Sequence, residues 1–543
     1  MTLLSALEPS PKQACQLASI LIGFIEKVVQ STSIVIKLLL PSACLEAANT
    51  HTAHSHCTLM DVLKSLESES NSLDVGPDER AAALRAVLQY AEEFLDSIAE
   101  APAYVDRPLP DESILLGQVS ENGIGLEQAL QTLKADVDSR GINTTSGRFV
   151  GYIPGGGLFH SALADFLAAV TNRYSGVAFA SPGAVRVEDQ CLRWMAEMVD
   201  YPETFGGYLS AGGSMANFTA IVTARDAHEI EGEMIARSVV YMTEHAHHCL
   251  DKALHLAGLG KCPVRRIPVD EHFRMDSDAL QKKVEEDVSH GLDPFLVVAT
   301  AGTTNTGSVD PLKVIGEIAH KHGAWYHVDG AYGAFFALCD EATTILDGIQ
   351  ASDSIVMDPH KTLFLPYGTG ALLVRDKKYL LAAHSMGADY MQDAINVPAT
   401  SPATVSPELT KHFRGLRLWL PLQALGVAPF RAGLSEKLHL ARYFHSRLSK
   451  ISGWELGPEP DLSVVVYRFV PTTGNIDAFN ERLVKAIHAD GRIFVSSTRI
   501  NGAYMLRLAA VCFRTHKADI DTIIKVLQEL AASIELQDAN RTI

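Results

Sequence analysis

The stretch 295-FLVVATAGTTNTGSVDPLKVIGEIAHKHGAWYHVDGAYGA-334 sets the fold class. Residues 295–300 form an apolar, partly β-branched run that ends in a turn rich in Gly, Thr and Asn. The segment 312–322 then carries helical periodicity, and 324-AWYHVD-329 is a second strand. Strand, helix and strand at this spacing make a βαβ unit with parallel pairing. The pattern repeats outward, with strands at 238-SVVYM-242, 353-DSIVM-357 and 369-TGALLV-374 and helices at 215–227 and 276–287. The prediction is an α/β domain whose mainly parallel sheet is buried on both faces, with ligands at the carboxyl ends of its strands.

The flanks read differently. Pro77 opens a helix over 78–100 whose apolar residues, Leu84, Val87, Leu88, Ala91, Phe94, Leu95 and Ile98, predict one buried face. A proline- and acid-rich loop (101–112) and a second helical stretch near 125–138 follow. Beyond 430 come a long helix, a strand at 463–469, a helix at 476–490, strands at 492–498 and 503–511, and a helix from 517. The expected organisation is an N-terminal extension (1–75), an N-terminal helical segment (76–157), a large α/β domain (158–430) and a small C-terminal α+β domain (431–543).

Composition narrows the function. Forty-six Lys and Arg against 64 Asp and Glu give a net charge of −18, a field that repels phosphate backbones and disfavours nucleic acid as a partner. Eight cysteines with no C-x-x-C pair fit reduced thiols in a cytoplasmic protein. The apolar runs 17–25 and 34–40 are too short for a membrane span, and no signal-peptide pattern precedes them. The tract 51-HTAHSHC-57 offers His51, His54, His56 and Cys57 as conceivable metal ligands, although such tracts are usually solvated, and no metal is expected.

The chemistry gathers at predicted strand ends. In 211-AGGSMANF-218 a small-residue turn feeds a helix, so backbone N–H groups and Ser214 can hold a phosphate. His245, His247 and His248 follow the strand at 238–242, Thr304 follows 295–300, and Asp329 ends the strand 324–329. Lys361 in 358-DPHKTLFLPYGTGALLVRD-376 follows 353–357. Pyridoxal phosphate has a group for each of these: an aldehyde for a lysine, a ring nitrogen for a carboxylate, and a flat face for a histidine. The apolar surroundings of Lys361 favour its neutral, nucleophilic amine.

These residues sit in stretches that resemble the group II pyridoxal-phosphate-dependent amino-acid decarboxylases, which include the aromatic-L-amino-acid, tyrosine, histidine and glutamate enzymes. The matching stretches are 148-RFVGYIP-154, 180-ASPGAVRVE-188, 211-AGGSMANF-218, 299-ATAGTTNTGSVD-310, 327-HVDGAYG-333, 358-DPHK-361 and 412-HFRGLRLW-419. The resemblance implies an aspartate-aminotransferase-like (fold type I) enzyme that is a homodimer and converts an L-amino acid to its amine and CO2. By the same resemblance Lys361 anchors the cofactor as an imine, Asp329 pairs with the ring nitrogen, Ala331 packs on the ring and His247 stacks on its other face. Gly213, Ser214, Met215 and His360 lie at the phosphate, Thr304 lies near the ring, and Arg414 matches the arginine of the family's FR motif.

Two features depart from the family pattern. The segment 391–411, where aromatic-amino-acid enzymes carry a loop tyrosine that protonates the product, contains none; Tyr390 lies too early. The glycine run 154-PGGG-157 replaces larger side chains near the substrate. Oxidative deamination to an aldehyde is therefore a competing outcome, as is a cofactor-binding scaffold without turnover. From a different class, Gly212–Ala216 nearly matches the G-x-S-x-G elbow of an α/β-hydrolase with Ser214 as nucleophile.

Overall fold

The computed structural model describes residues 58–542, apart from 111, 112, 114, 116, 120, 154 and 387–398. The runs 17–25 and 34–40, the tract 51–57 and Tyr390 lie outside the described residues. Contacts divide the chain into Met1–Arg85 and Ala86–Ile543. In the first unit the helix Leu59–Ser70 is closed by a capping box. Asp61 N–H donates to Thr58 Oγ1 at 3.3 Å, and Thr58 N–H donates to the Asp61 carboxylate at 3.0 Å.

The helix expected over 78–100 forms as Pro77–Ser97. Its apolar stripe is covered only toward its end: Leu84, Val87 and Leu88 are exposed and no residue of the helix is buried, while Ile98, just past it, is buried. Periodicity reports that a face is apolar, and a single chain need not supply its cover.

In the second unit the short strands β1 (Tyr104–Val105) and β2 (Gly141–Ile142) pair antiparallel. The main sheet contains β3 (Gly206–Ser210), β4 (Ser238–Thr243), β5 (Val264–Ile267), β6 (Asp293–Thr300), β7 (Trp325–Asp329), β8 (Ser354–Met357) and β9 (Gly370–Val374). Their order is β3-β9-β8-β7-β6-β4-β5. All run parallel except β9, which is antiparallel to both β8 and β3.

Alternation along these strands builds two cores. Val297, Ala299, Val328, Ile355 and Leu373 face one layer of helices, while Leu296, Val298, Val356 and Leu372 face the other. That is the sheet buried on both faces which the sequence predicts.

A second sheet follows, of β10 (Trp454–Leu456), β11 (Val464–Phe469), β12 (Ser496–Ile500) and β13 (Ala503–Ala509), in the antiparallel order β10-β11-β13-β12. The strand expected over 492–498 begins later. Phe494 instead exchanges backbone hydrogen bonds with the 148–150 segment, and Ile493, Phe494 and Val495 are buried there.

Candidate active site

The carboxyl ends of β3, β4, β6, β7 and β8 open onto one cavity of about 560 Å³. Its lining includes all nine residues expected at the cofactor: Gly213, Ser214, Met215, His247, Thr304, Asp329, Ala331, His360 and Lys361. Because β9 is antiparallel to both β3 and β8, those two strands run the same way and deliver Gly213 and Lys361 to the same end.

After β3 the chain turns at Gly212 into the helix Gly213–Ala227. The Met215 and Ala216 amides bond back to the Gly212 carbonyl, both at 3.1 Å. The first-turn amides of Gly213 and Ser214 remain as anion donors at the helix N-terminus.

Asp329 is buried at the end of β7. One carboxylate oxygen accepts from the Ala331 amide at 3.1 Å and the other from Asn217 Nδ2 at 3.2 Å. Asn217 Oδ1 in turn accepts from His327 Nε2 at 2.7 Å, and His327 Nδ1 lies 2.7 Å from Ser354 Oγ, which also accepts from Trp325 Nε1 at 2.8 Å. Burial drives the His327 pKa down to about 4, so the ring is neutral, with Nε2–H donating and Nδ1 accepting. This chain of bonds fixes Asp329 from behind.

His247 Nδ1 accepts the Cys249 amide at 3.3 Å, which leaves its proton on Nε2, and burial lowers its pKa. His360 donates from Nδ1 to the Thr369 carbonyl at 2.6 Å, and burial lowers its pKa as well.

Lys361 corrects an expectation. Burial alone would favour its neutral amine, but Nζ lies 3.0 Å from Asp358 Oδ2, and the charges of Asp358 and Asp329 outweigh desolvation. The lysine is held protonated, above its ordinary range.

A model of the pyridoxal-dependent decarboxylase conserved domain matches residues 124–470. The chain belongs to that family. A pyridoxal-dependent decarboxylase of this family uses pyridoxal 5′-phosphate to remove CO2 from an amino acid, and the donor set fits the cofactor. Helix-end amides suit the phosphate, a buried anchored carboxylate suits a protonated ring nitrogen, and an amine suits the aldehyde.

The decarboxylase is 32% identical over 428 residues to an aromatic-L-amino-acid decarboxylase of Bacillus atrophaeus, covering 78% of this chain and 89% of that one. It is 27% identical over 451 residues to a phenylacetaldehyde synthase of Arabidopsis thaliana, covering 79% and 90%. In fold it is similar to Oryza sativa TDC solved with PLP and tryptamine, with a TM-score of 0.80 and 24% identity over 85% of this chain and 99% of that chain.

Several residues of the decarboxylase's cavity escaped sequence reading: Asn217, Cys249, Tyr332, Asp358 and Tyr367. Asn217 was detectable in principle, since it lies one helical turn after Gly213 on the same face. Arg414 lies elsewhere. It binds Glu408 through two hydrogen bonds of 2.8 and 2.9 Å and donates to the Leu209 carbonyl at 3.3 Å, holding β3.

The hydrolase reading lacks its triad, because among the described residues no histidine bonds Ser214 or Asp329. The glycine run also has a packing reason. A Cβ on Gly155 would overlap the His360 carbonyl oxygen, and one on Gly156 would lie 2.6 Å from Cys512 Sγ.

Proposed function

We propose that Lys361 is the residue on which this decarboxylase carries its cofactor. Gly213, Ser214, Met215 and His360 then serve the phosphate, Asp329 the ring nitrogen, Ala331 and His247 the two ring faces, and Thr304 the ring edge. The observation that carries the reading is the convergence of a lysine, a fixed carboxylate and a helix N-terminus on one cavity. When bound, the cofactor supplies a ring that accepts the electron pair left by departing CO2.

Asp329, fixed by Asn217 and the Ala331 amide, holds a proton on the ring nitrogen. Lys361 would hold the cofactor aldehyde and would give way to the amino group of the substrate during turnover. A proton passed to Cα by His247 would come from its charged form, in which both ring nitrogens carry hydrogen, and burial makes that form a stronger acid. Lys361→Ala should abolish the imine absorbance and CO2 release, and an unchanged absorbance would overturn the assignment.

We further propose an aromatic L-amino acid as substrate, supported by similarity to the Bacillus atrophaeus enzyme. A second product outcome, the aldehyde, is favoured by the absence of a tyrosine from 391–411 and by similarity to a phenylacetaldehyde synthase. Assaying amine, aldehyde and hydrogen peroxide across L-amino acids separates the two.

A homodimer is supported by the helix Phe159–Thr171, which buries Ser161, Ala164 and Ala168 but exposes Phe159, Leu163, Phe166, Leu167 and Val170 along one face. Residues 76–157 would contribute to that interface, 158–430 would bind the cofactor and 431–543 would form the smaller domain. A cytoplasmic location is supported by five buried free thiols, Cys191, Cys249, Cys262, Cys339 and Cys512. Among the described residues no helix is long and apolar enough to cross a membrane.

A further inference from the structure

Asp358 has no part in the roles assigned above, yet it is the nearest charged neighbour of Lys361. It precedes the short helix Pro359–Thr362 that carries the lysine, without a side-chain capping bond to it, and its side chain is 1% exposed. Its Oδ2 is 3.0 Å from Lys361 Nζ and 3.8 Å from His360 Nε2, while its buried Oδ1 has no hydrogen-bond partner. Two glycines make room for it: a Cβ on Gly213 would lie 2.8 Å from Oδ2, and one on Gly370 would lie 2.6 Å from Oδ1. The carboxylate is therefore wedged between the first residue of the phosphate-facing helix and the lysine.

This placement creates a chemical problem. An ammonium has no lone pair and cannot attack an aldehyde. A buried carboxylate with an orphan oxygen is costly, and it repels an incoming phosphate. One proton transfer frees the amine's lone pair and removes the buried negative charge.

We propose that Asp358 is the internal proton acceptor that makes Lys361 nucleophilic when it captures the cofactor aldehyde; the inference rests on Lys361 being the anchor. An N–H bond of the ammonium breaks and its proton moves to Asp358 Oδ2. The freed Nζ pair bonds the aldehyde carbon, the two remaining amine hydrogens leave with the aldehyde oxygen as water, and a carbon–nitrogen double bond remains. No redox partner is needed. Asp358, now neutral, no longer opposes the phosphate at Gly213.

The pair shares one proton in both forms, ammonium with carboxylate or amine with carboxylic acid. The reactive fraction is therefore insensitive to pH over the range in which the pair keeps that proton. The other titratable groups facing it are Asp329 and Tyr332 at and after β7, His247 and Cys249 after β4, and His360, Tyr367 and Arg417 around the β8–β9 connection. Burial keeps His247 and His360 neutral and pushes the Cys249 thiol up to about 12. None of these three changes charge between pH 7 and 9.

The test uses full-length protein stripped of cofactor. The rate of imine absorbance on adding pyridoxal 5′-phosphate is followed from about pH 7 to 9 in wild type and Asp358→Asn, so that ionisation of the free cofactor cancels in the ratio. Wild type should vary by less than about twofold, whereas the variant should accelerate toward tenfold per pH unit until its lysine has titrated. Equal slopes in the two proteins overturn the proposal. If that variant does not fold, Asp358→Ser takes its place in the same ratio, and equal slopes there overturn the proposal.

In a second arm without cofactor, labelling of Lys361 by an amine-selective acylating reagent should show the same contrast, nearly flat from about pH 7 to 9 in wild type and rising toward tenfold per unit in Asp358→Asn. Equal slopes contradict the pairing. If wild type forms no imine while the labelling difference holds, the failure lies with Lys361 as anchor and not with the Asp358–Lys361 pair.

Discussion

At the residue scale, Asp329 depends on a chain of hydrogen bonds that runs through Asn217 to a neutral histidine and on to Ser354. Replacing Asn217 with Ala would leave Asp329 Oδ2 and His327 Nε2 without partners in the interior. Each loss costs about 1–3 kcal/mol, so Asn217→Ala should be less stable in denaturant melts and should release cofactor more readily. His327 also sets a pH dependence. Its folded pKa, about 4, lies below that of a free histidine near 6.5. Between those values the unfolded chain binds a proton that the folded chain refuses, so this residue's contribution falls as pH falls through that window, by about 1.4 kcal/mol per unit. His327→Gln should lose less stability than wild type between pH 6.5 and 4 in matched melts. The placement of Lys361, Asp329 and His247 at one cavity was legible because Asp329 ends a recognisable strand and the other two follow one within a few residues. Asp358 was not. It sits one residue before a proline in the same motif, and its meaning depends on a 3.0 Å contact that spacing alone does not reveal.

At the element scale, β3 is the sheet edge that carries the turn proposed to hold the phosphate. A buried pair holds it: Lys411 Nζ lies 2.7 Å from Glu188 Oε2 and donates to the Leu209 carbonyl at 3.2 Å. Lys411→Met removes the cation and strands Glu188, which should cost about 3–5 kcal/mol and weaken cofactor retention; melts with and without cofactor check both. The sequence hid β3 because Gly206, Gly207 and Ser210 read as turn residues, and it hid β5 because Arg265 and Arg266 interrupt an already short run. Arg265 instead pairs with the buried Asp287 at 2.8 Å, a compensation visible only in three dimensions. The central strands, apolar on both faces, left no such ambiguity. Gly155 belongs to the same scale. Gly155→Ala would push the 155–157 backbone off the His360 carbonyl, and cofactor affinity should fall together with stability.

At the scale of the whole molecule, the helix Phe159–Thr171 presents large apolar side chains to solvent, with Phe166 49% and Val170 66% exposed. A dimer would cover them. Phe166→Asp should shift sedimentation toward a monomer and reduce activity, and an unchanged dimer would reject this face as the interface. The α/β class and the later α+β sheet were legible from periodicity alone, whereas the cover for apolar faces on 78–97 and 159–171 was not, because one chain's sequence does not record its neighbours. The pairing of β3 with β9 has a consequence in time. It joins Ser210 to Gly370 and Gly206 to Val374 across the intervening βαβ units, so it is a high-contact-order closure of the kind that forms slowly. Until that edge closes, the turn at Gly212–Gly213 and the lysine belong to separate parts of the chain. Capture of the cofactor during refolding should therefore lag behind the recovery of helix signal, and the colour of the bound cofactor would serve as a clock for the last long-range step.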